Sequence, residues 1–202
     1  DYLALLRHRR YLGHVLTGAF SAAGMFAYIA GSPFVFIELH GVPPEHYGWL
    51  FGSNALGLIL ASQLNGRLLH RRLGAERVLR LAGWVQAAAG LALLVMAVSG
   101  VGGLPGIMLP LFVYIACGGF VMPNATALAM APFSTHAGTA SALLGSVQFA
   151  LAACAALAVG ALHAVSAIPM AGVVAACGLL GVVAHAGLVG ARAPSHSGRM
   201  TP

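Results

Sequence analysis

The feature that most constrains this chain is how far it runs without a charge. From Leu81 to Ala191 there is no Asp, Glu, Lys or Arg, and two shorter charge-free windows precede that stretch. A water-facing surface needs polar material, and soluble domains carry roughly 25% charged residues. Here 7% are charged and 59% are hydrophobic. A bilayer-crossing helix needs roughly 20 apolar residues, and the windows divide into six segments of about that length. They cover residues 12–37, 47–66, 78–99, 104–130, 138–163 and 166–190. Residues 1–11 read as a cytoplasmic connector, 12–190 as a six-helix membrane domain and 191–202 as a cytoplasmic tail. The opening Asp1 in place of Met gives the connector the look of the middle of something longer.

The charges that remain fix an orientation. All ten basic residues are Arg, grouped at 7–10, 67–80 and 192–199. With six spans, the N-terminal segment, the 67–80 loop, the 131–137 loop and the tail share one side of the membrane. That side holds every Arg, and cytoplasmic loops concentrate Lys and Arg, so both termini are expected in the cytoplasm. The same distribution speaks against nucleic acid despite a formal charge of +6, because no basic stripe is interleaved with aromatics. The bias of Arg over Lys points to a GC-rich bacterium.

No catalytic or metal constellation stands out. Cys117, Cys154 and Cys177 lie inside apolar runs without a CxxC and read as small packing residues. The nine His residues lack metal-ligand spacing. The nearest cluster, Glu38, His40, Glu45 and His46, reads as a solvated loop, so neither a metal nor a cofactor is expected. An intramembrane serine protease would need a Gly-x-Ser-Gly nucleophile, which Gly52-Ser53-Asn54 and Gly145-Ser146-Val147 do not supply. The chain is expected not to be an enzyme.

Polar side chains are costly in hydrocarbon, which makes their positions informative. Ser21, Met25, Tyr28 and Ser32 form one helical stripe in the first segment, and Ser141, Gly145 and Gln148 another in the fifth. The second offers Asn54, Gln63 and Asn65, and the fourth Tyr114, Asn124 and Thr126. The third and sixth offer little beyond Gln86 and His185. Segments one, two, four and five are therefore expected to border a cavity, and three and six to face lipid. Packing with interhelical hydrogen bonds is the competing account of these groups. Gly31-Ser32-Pro33 and Met122-Pro123-Asn124, with Gly-Ser pairs in segments two and five, give a coarse three-plus-three repeat. No acid or base lies mid-membrane, so these 202 residues alone are not expected to couple protons.

Residues 119–133 (GFVMPNATALAMAPF) and 137–149 (AGTASALLGSVQF) resemble the tenth and eleventh helices of the bicyclomycin/chloramphenicol-resistance branch of drug/proton antiporters. Residues 28–35 (YIAGSPFV) are similar to that family's seventh helix, and NGRL at 65–68 with Gly74 and Arg77 to its basic loop. The resemblance implies an all-α fold, one half of the twelve-helix major facilitator architecture, with a three-plus-three inverted repeat. It implies proton-driven export of amphiphilic drugs across the bacterial inner membrane. Drug contacts would fall to Tyr28, Asn54, Asn124, Gln148 and Phe149, and a gating loop to Arg67, Arg71 and Arg72. The partners implied are drugs, protons, lipid and an N-terminal six-helix half, where the family's membrane carboxylates would lie. A major facilitator carrier of a sugar or amino acid, and a non-transporting six-helix scaffold, stand as alternatives. Met25, Tyr28, Phe149 and neutral amides suit apolar cargo better than polar solutes.

Overall fold

The computed structural model describes residues 7–69, 73–162 and 165–189, and all regular structure among them is helical. Six long helices follow in order: α1 Arg9–Pro33, α2 Pro44–Leu64, α3 Ala75–Ser99, α4 Gly103–Met130, α5 Ala137–Ala161 and α6 Ile168–Leu188. Their starts follow one rule. α1, α2 and α3 each begin three residues before the apolar run, because a first turn tolerates polar side chains that reach water. Arg9 and Arg10 open α1 under a cap in which His8 Nδ1 accepts from the Tyr11 amide at 3.2 Å. Pro44 and Glu45 open α2, and Glu76 lies in the first turn of α3, where a carboxylate complements the helix dipole. α3 stops at Gly100, whose φ of +67° closes the helix through its amide to the Met96 carbonyl.

Proline shapes the other ends. Pro33 takes one amide out of the α1 ladder, and the chain widens into a π-type turn, Phe34–Leu39. His40 Nδ1 against the Val35 carbonyl at 2.6 Å and the Val42 amide to Phe36 at 3.0 Å then turn it into α2. A second π-type turn, Asn65–Leu69, ends α2, and a 3₁₀ turn, Ala131–His136, joins α4 to α5.

The helices pack as a ring of four with two attachments. α1 meets α4 and α6, and α3 also meets both, which closes the ring. α5 lies against α1, and α2 against α4. At the centre sits Tyr114 of α4, fully buried. Gly24 of α1, Gly90 of α3 and Gly178 of α6 surround it, and a Cβ at Gly24 would run into the phenol ring and hydroxyl. Cβ atoms at Gly90 and Gly178 would lie 3.0 Å from Ala175 Cα and 3.1 Å from Ala87 Cα, so α3 and α6 approach backbone to backbone. A layer of hydrogen bonds crosses the ring beside the tyrosine. Gln86 Nε2 donates to Ser21 Oγ at 2.9 Å and to the Tyr114 carbonyl at 3.2 Å.

Outside this core the surface is apolar. Trp49, Leu60, Trp84, Val95, Leu109, Leu157 and Val183 are all exposed, on five of the six helices and in α6 as well as α2. That is the arrangement of a helix bundle solvated by lipid. α1, with its following turn, and α3 to α6 are long and apolar enough to cross a membrane. α2 is 21 residues long but carries Glu45, His46, Ser53, Asn54, Ser62 and Gln63, which lower its hydropathy. Cys117 and Cys177 are packed as expected, whereas Cys154 is exposed on α5.

Candidate functional site

The polar residues of the sequence resolve into three places. The first is a seam between α1 and α2. Asn54 Nδ2 donates to Tyr28 Oη at 3.1 Å, and Ser32 Oγ lies 2.9 Å from Tyr47 Oη. Phe51 stacks on Tyr28 with centroids 5.4 Å apart, and Phe36 closes the far side. Tyr28 is 2% exposed and Asn54 0%, so within this unit both pack between helices, as the competing account had it. Asn54 Oδ1 nevertheless has no hydrogen-bond partner.

The second place joins α2 to α4. Asn124 is 1% exposed, and its Nδ2 donates to Asn65 Oδ1 at 2.8 Å and to the Phe120 carbonyl at 2.7 Å. Here α2 touches backbone, because a Cβ at Gly119 would meet the Leu58 carbonyl at 2.5 Å. Gln148 and Phe149 stand apart on α5. Gln148 is half-buried, while Phe149 is 68% exposed with an edge on Phe26. The fold thus pairs Tyr28 with Asn54 and leaves Asn124, Gln148 and Phe149 separate. Of the gating-loop residues, Arg67 is exposed, and Arg71 and Arg72 lie outside the described residues. Tyr114, read as one of the polar lining groups, is instead the central core residue. Glu38, Glu45 and His46 are exposed as expected and His40 is half-buried, but the four do not share one loop: Glu38 lies in the π-type turn, and Glu45 and His46 lie in the first turn of α2.

The third place was not singled out by sequence spacing. At the end of the bundle that carries Arg10 and Arg80, a cavity of 710 Å³ opens between α1, α3 and α6. His14 of α1 and His185 of α6 enter it with Glu76 of α3 between them. His14 Nε2 is 3.1 Å from Glu76 Oε2, and His185 Nε2 is 2.9 Å from Glu76 Oε1. The first contact is a hydrogen bond. The second is an ion-pair contact that lacks hydrogen-bond geometry, so His185 Nε2 has no hydrogen-bond partner. Both histidines are buried, and the carboxylate is 46% exposed. Glu76 escapes a reading by charge-free windows because it falls two residues before the third apolar run. His14 and His185 are 171 positions apart, so no local motif links them. The one usable signal is that all three fall at the Arg-bearing ends of their helices.

A helix bundle with a lipid-type surface, neutral buried polar groups and five membrane-length apolar helices is a multi-pass membrane protein. No family model matches the chain. Over 170 residues, 84% of the chain, it is 32% identical to a bicyclomycin resistance protein homolog of Haemophilus influenzae. Over 174 residues, 85% of the chain, it is 33% identical to the uncharacterized MFS-type transporter YdgK of Bacillus subtilis. A 77-residue stretch is 36% identical to the multidrug transporter MdfA of Edwardsiella piscicida. The chain belongs to the bicyclomycin-resistance branch of the major facilitator superfamily, a family of transporters and not of enzymes. It spans 42% of the length of each of the first two relatives.

Proposed function

We propose that this chain is the C-terminal six-helix half of a twelve-helix drug/proton antiporter of the bacterial inner membrane. The observation that carries the reading is its similarity along 84% of its length to a bicyclomycin resistance protein homolog of which it spans 42%. The packing supports it. Exchanging α1 with α4, α2 with α5 and α3 with α6 turns every major helix contact into another that is present. A three-plus-three inverted repeat would do this. α2 then counts as the sixth span, its polar residues turned to the protein side.

In this reading α2 and α5, each held mainly by a single neighbour, border the cavity shared with the N-terminal half. Tyr28, Asn54, Asn124, Gln148 and Phe149 would contact drug there, Asn54 once the α1–α2 seam opens and exposes its unpaired Oδ1. Arg67, Arg71 and Arg72 would belong to the cytoplasmic gate, and both termini would be cytoplasmic. The proton-coupling carboxylate would come from the other half.

The test is drug efflux by cells expressing this chain alone or with a matching N-terminal half. Resistance and proton-coupled export are expected only from the pair. Coupled export by the chain alone, or none from a pair that assembles in the membrane, would overturn the proposal.

A further inference from the structure

We propose that His14, Glu76 and His185 form a binding site for a single divalent transition-metal ion of the zinc type. Among the described residues these three are the group of His, Cys, Asp and Glu side chains able to share a metal, with ligand atoms all within 4.8 Å of one another. The set is two imidazoles and one carboxylate. Imidazole suits Zn²⁺, Co²⁺ and Ni²⁺ and is a poor ligand for Mg²⁺ or Ca²⁺.

Distances favour the same occupant. Bonds of roughly 2.0–2.2 Å around a tetrahedral ion place neighbouring ligand atoms about 3.3 Å apart. The nitrogen-to-carboxylate separations are close to that edge, 3.1 Å from His14 to Oε2 and 2.9 Å from His185 to Oε1. Because the two contacts use different oxygens, one ion would take the carboxylate through both, or through one with the farther imidazole drawn in from within 4.8 Å.

His185 adds an independent pointer. It is 9% exposed, and its Nε2 approaches the carboxylate without a hydrogen bond, a costly state for a buried ring nitrogen. A cation between it and Glu76 would satisfy both. Thr17 and Tyr11 line the same cavity but spend their hydroxyls on the Gly13 and Ala140 carbonyls, at 2.7 and 2.6 Å. The competing groups are Arg10 and Arg80, which also line the cavity, as does His8. All three are exposed, so water screens their charge more than that of the two buried histidines. Three protein ligands leave a fourth position, open to the cavity, for water or a chelating group. A bound ion would cross-link α1, α3 and α6 at their Arg-bearing ends.

Binding is measured on untagged, detergent-purified chain, independently of transport, so it stands or falls apart from the antiporter reading. Calorimetry with Zn²⁺ is expected to give one ion per chain, and Co²⁺ to give the intense visible bands of a four-coordinate nitrogen/oxygen site. His14→Gln, His185→Gln and Glu76→Gln are each expected to weaken binding at least tenfold, since even outer-shell partners are worth about that much. His40→Ala with His46→Ala, at the other end of the bundle, is expected to leave it unchanged. Size-exclusion profiles establish that each variant is folded, and the Co²⁺ spectrum of the unsubstituted chain needs no variant. Absence of stoichiometric Zn²⁺ uptake, a six-coordinate Co²⁺ spectrum, or binding that survives His14→Gln with His185→Gln would each overturn the assignment.

Discussion

Adding one methyl group at Gly119 should loosen α2 from the rest of the molecule. A Cβ there would lie 2.5 Å from the Leu58 carbonyl oxygen, 2.8 Å from the Ser62 amide nitrogen and 3.0 Å from Ala61 Cβ. Ordinary contact begins at 3.4 Å, so the shortfalls are 0.9, 0.6 and 0.4 Å. The first two obstacles are backbone atoms of a continuous helix, which cannot rotate out of the way as a side chain can. α2 must move as a body, and its main support is α4. Overpacking of this kind costs about 1–3 kcal/mol, partly offset by the higher helix propensity of Ala, up to about 1 kcal/mol. The net expectation for Gly119→Ala is a loss of about 1–2 kcal/mol. Gly52→Ala, on the same α2 but with nothing within 4 Å of its Cβ, keeps only the propensity gain. Thermal unfolding of both variants in one detergent, followed by tryptophan fluorescence, supplies the comparison. Trp49 lies on α2 and Trp84 on α3, so the signal follows unfolding of both the edge helix and the ring. Equal midpoints for the two variants would refute the claim that α2 is seated by backbone contact at Gly119.

Two further substitutions separate packing from chemistry. Gln86→Leu keeps the volume but removes both bonds of the layer beside Tyr114; at about 0.6 kcal/mol per interhelical bond, a loss near 1 kcal/mol is expected on reversible unfolding. Tyr28→Phe leaves buried Asn54 without its one hydrogen-bond partner and should cost about 1–3 kcal/mol. Tyr28→Phe with Asn54→Leu should recover most of that, giving a coupling energy that a double-mutant cycle measures. If the double variant is stable yet drug efflux by the reassembled transporter falls, the amide serves cargo; unchanged efflux removes Asn54 from the drug site.

Much of the architecture is legible in the sequence because the bilayer imposes one rule on every segment. A run without charge must be helical there, and the expected edges at 78–99, 104–130 and 138–163 lie within three residues of α3, α4 and α5. The misses have a common cause. Hydropathy describes what a segment avoids and is silent on which neighbour it meets. Tyr114 looks like a lining residue by composition, yet it is keyed among three glycines of three other helices, separated from it by 24 to 90 positions. Glu76 looks like part of a loop until α3 is seen to begin at Ala75. Tyr28 and Asn54 stand out in the sequence as polar groups in apolar segments, and interhelical packing is one of the two accounts of them, but that they pair with each other could not be read from hydropathy.

The placement of these features bears on how the unit would work. Around Tyr114, its glycine cradle and the Gln86 layer bind α1, α3, α4 and α6 into a body with backbone-close contacts, and such packing resists internal deformation. α2 and α5 differ. α5 buries only Ala140, Ala152 and Ala155, and α2 only Asn54, Gly57 and Ala61. Six small or amide side chains are a thin hold for two helices of 21 and 25 residues. Adaptation to a partner or a ligand should therefore concentrate in α2 and α5, with the four-helix ring moving as one piece. Hydrogen exchange in detergent tests that ordering, because local opening follows the density of buried contacts. Amides in the middle of α2 and α5 should exchange ahead of those flanking Gly24, Gly90 and Tyr114. Uniform protection across all six helices would mean that the edge helices are as firmly held as the ring, and the rigid-core argument would fail.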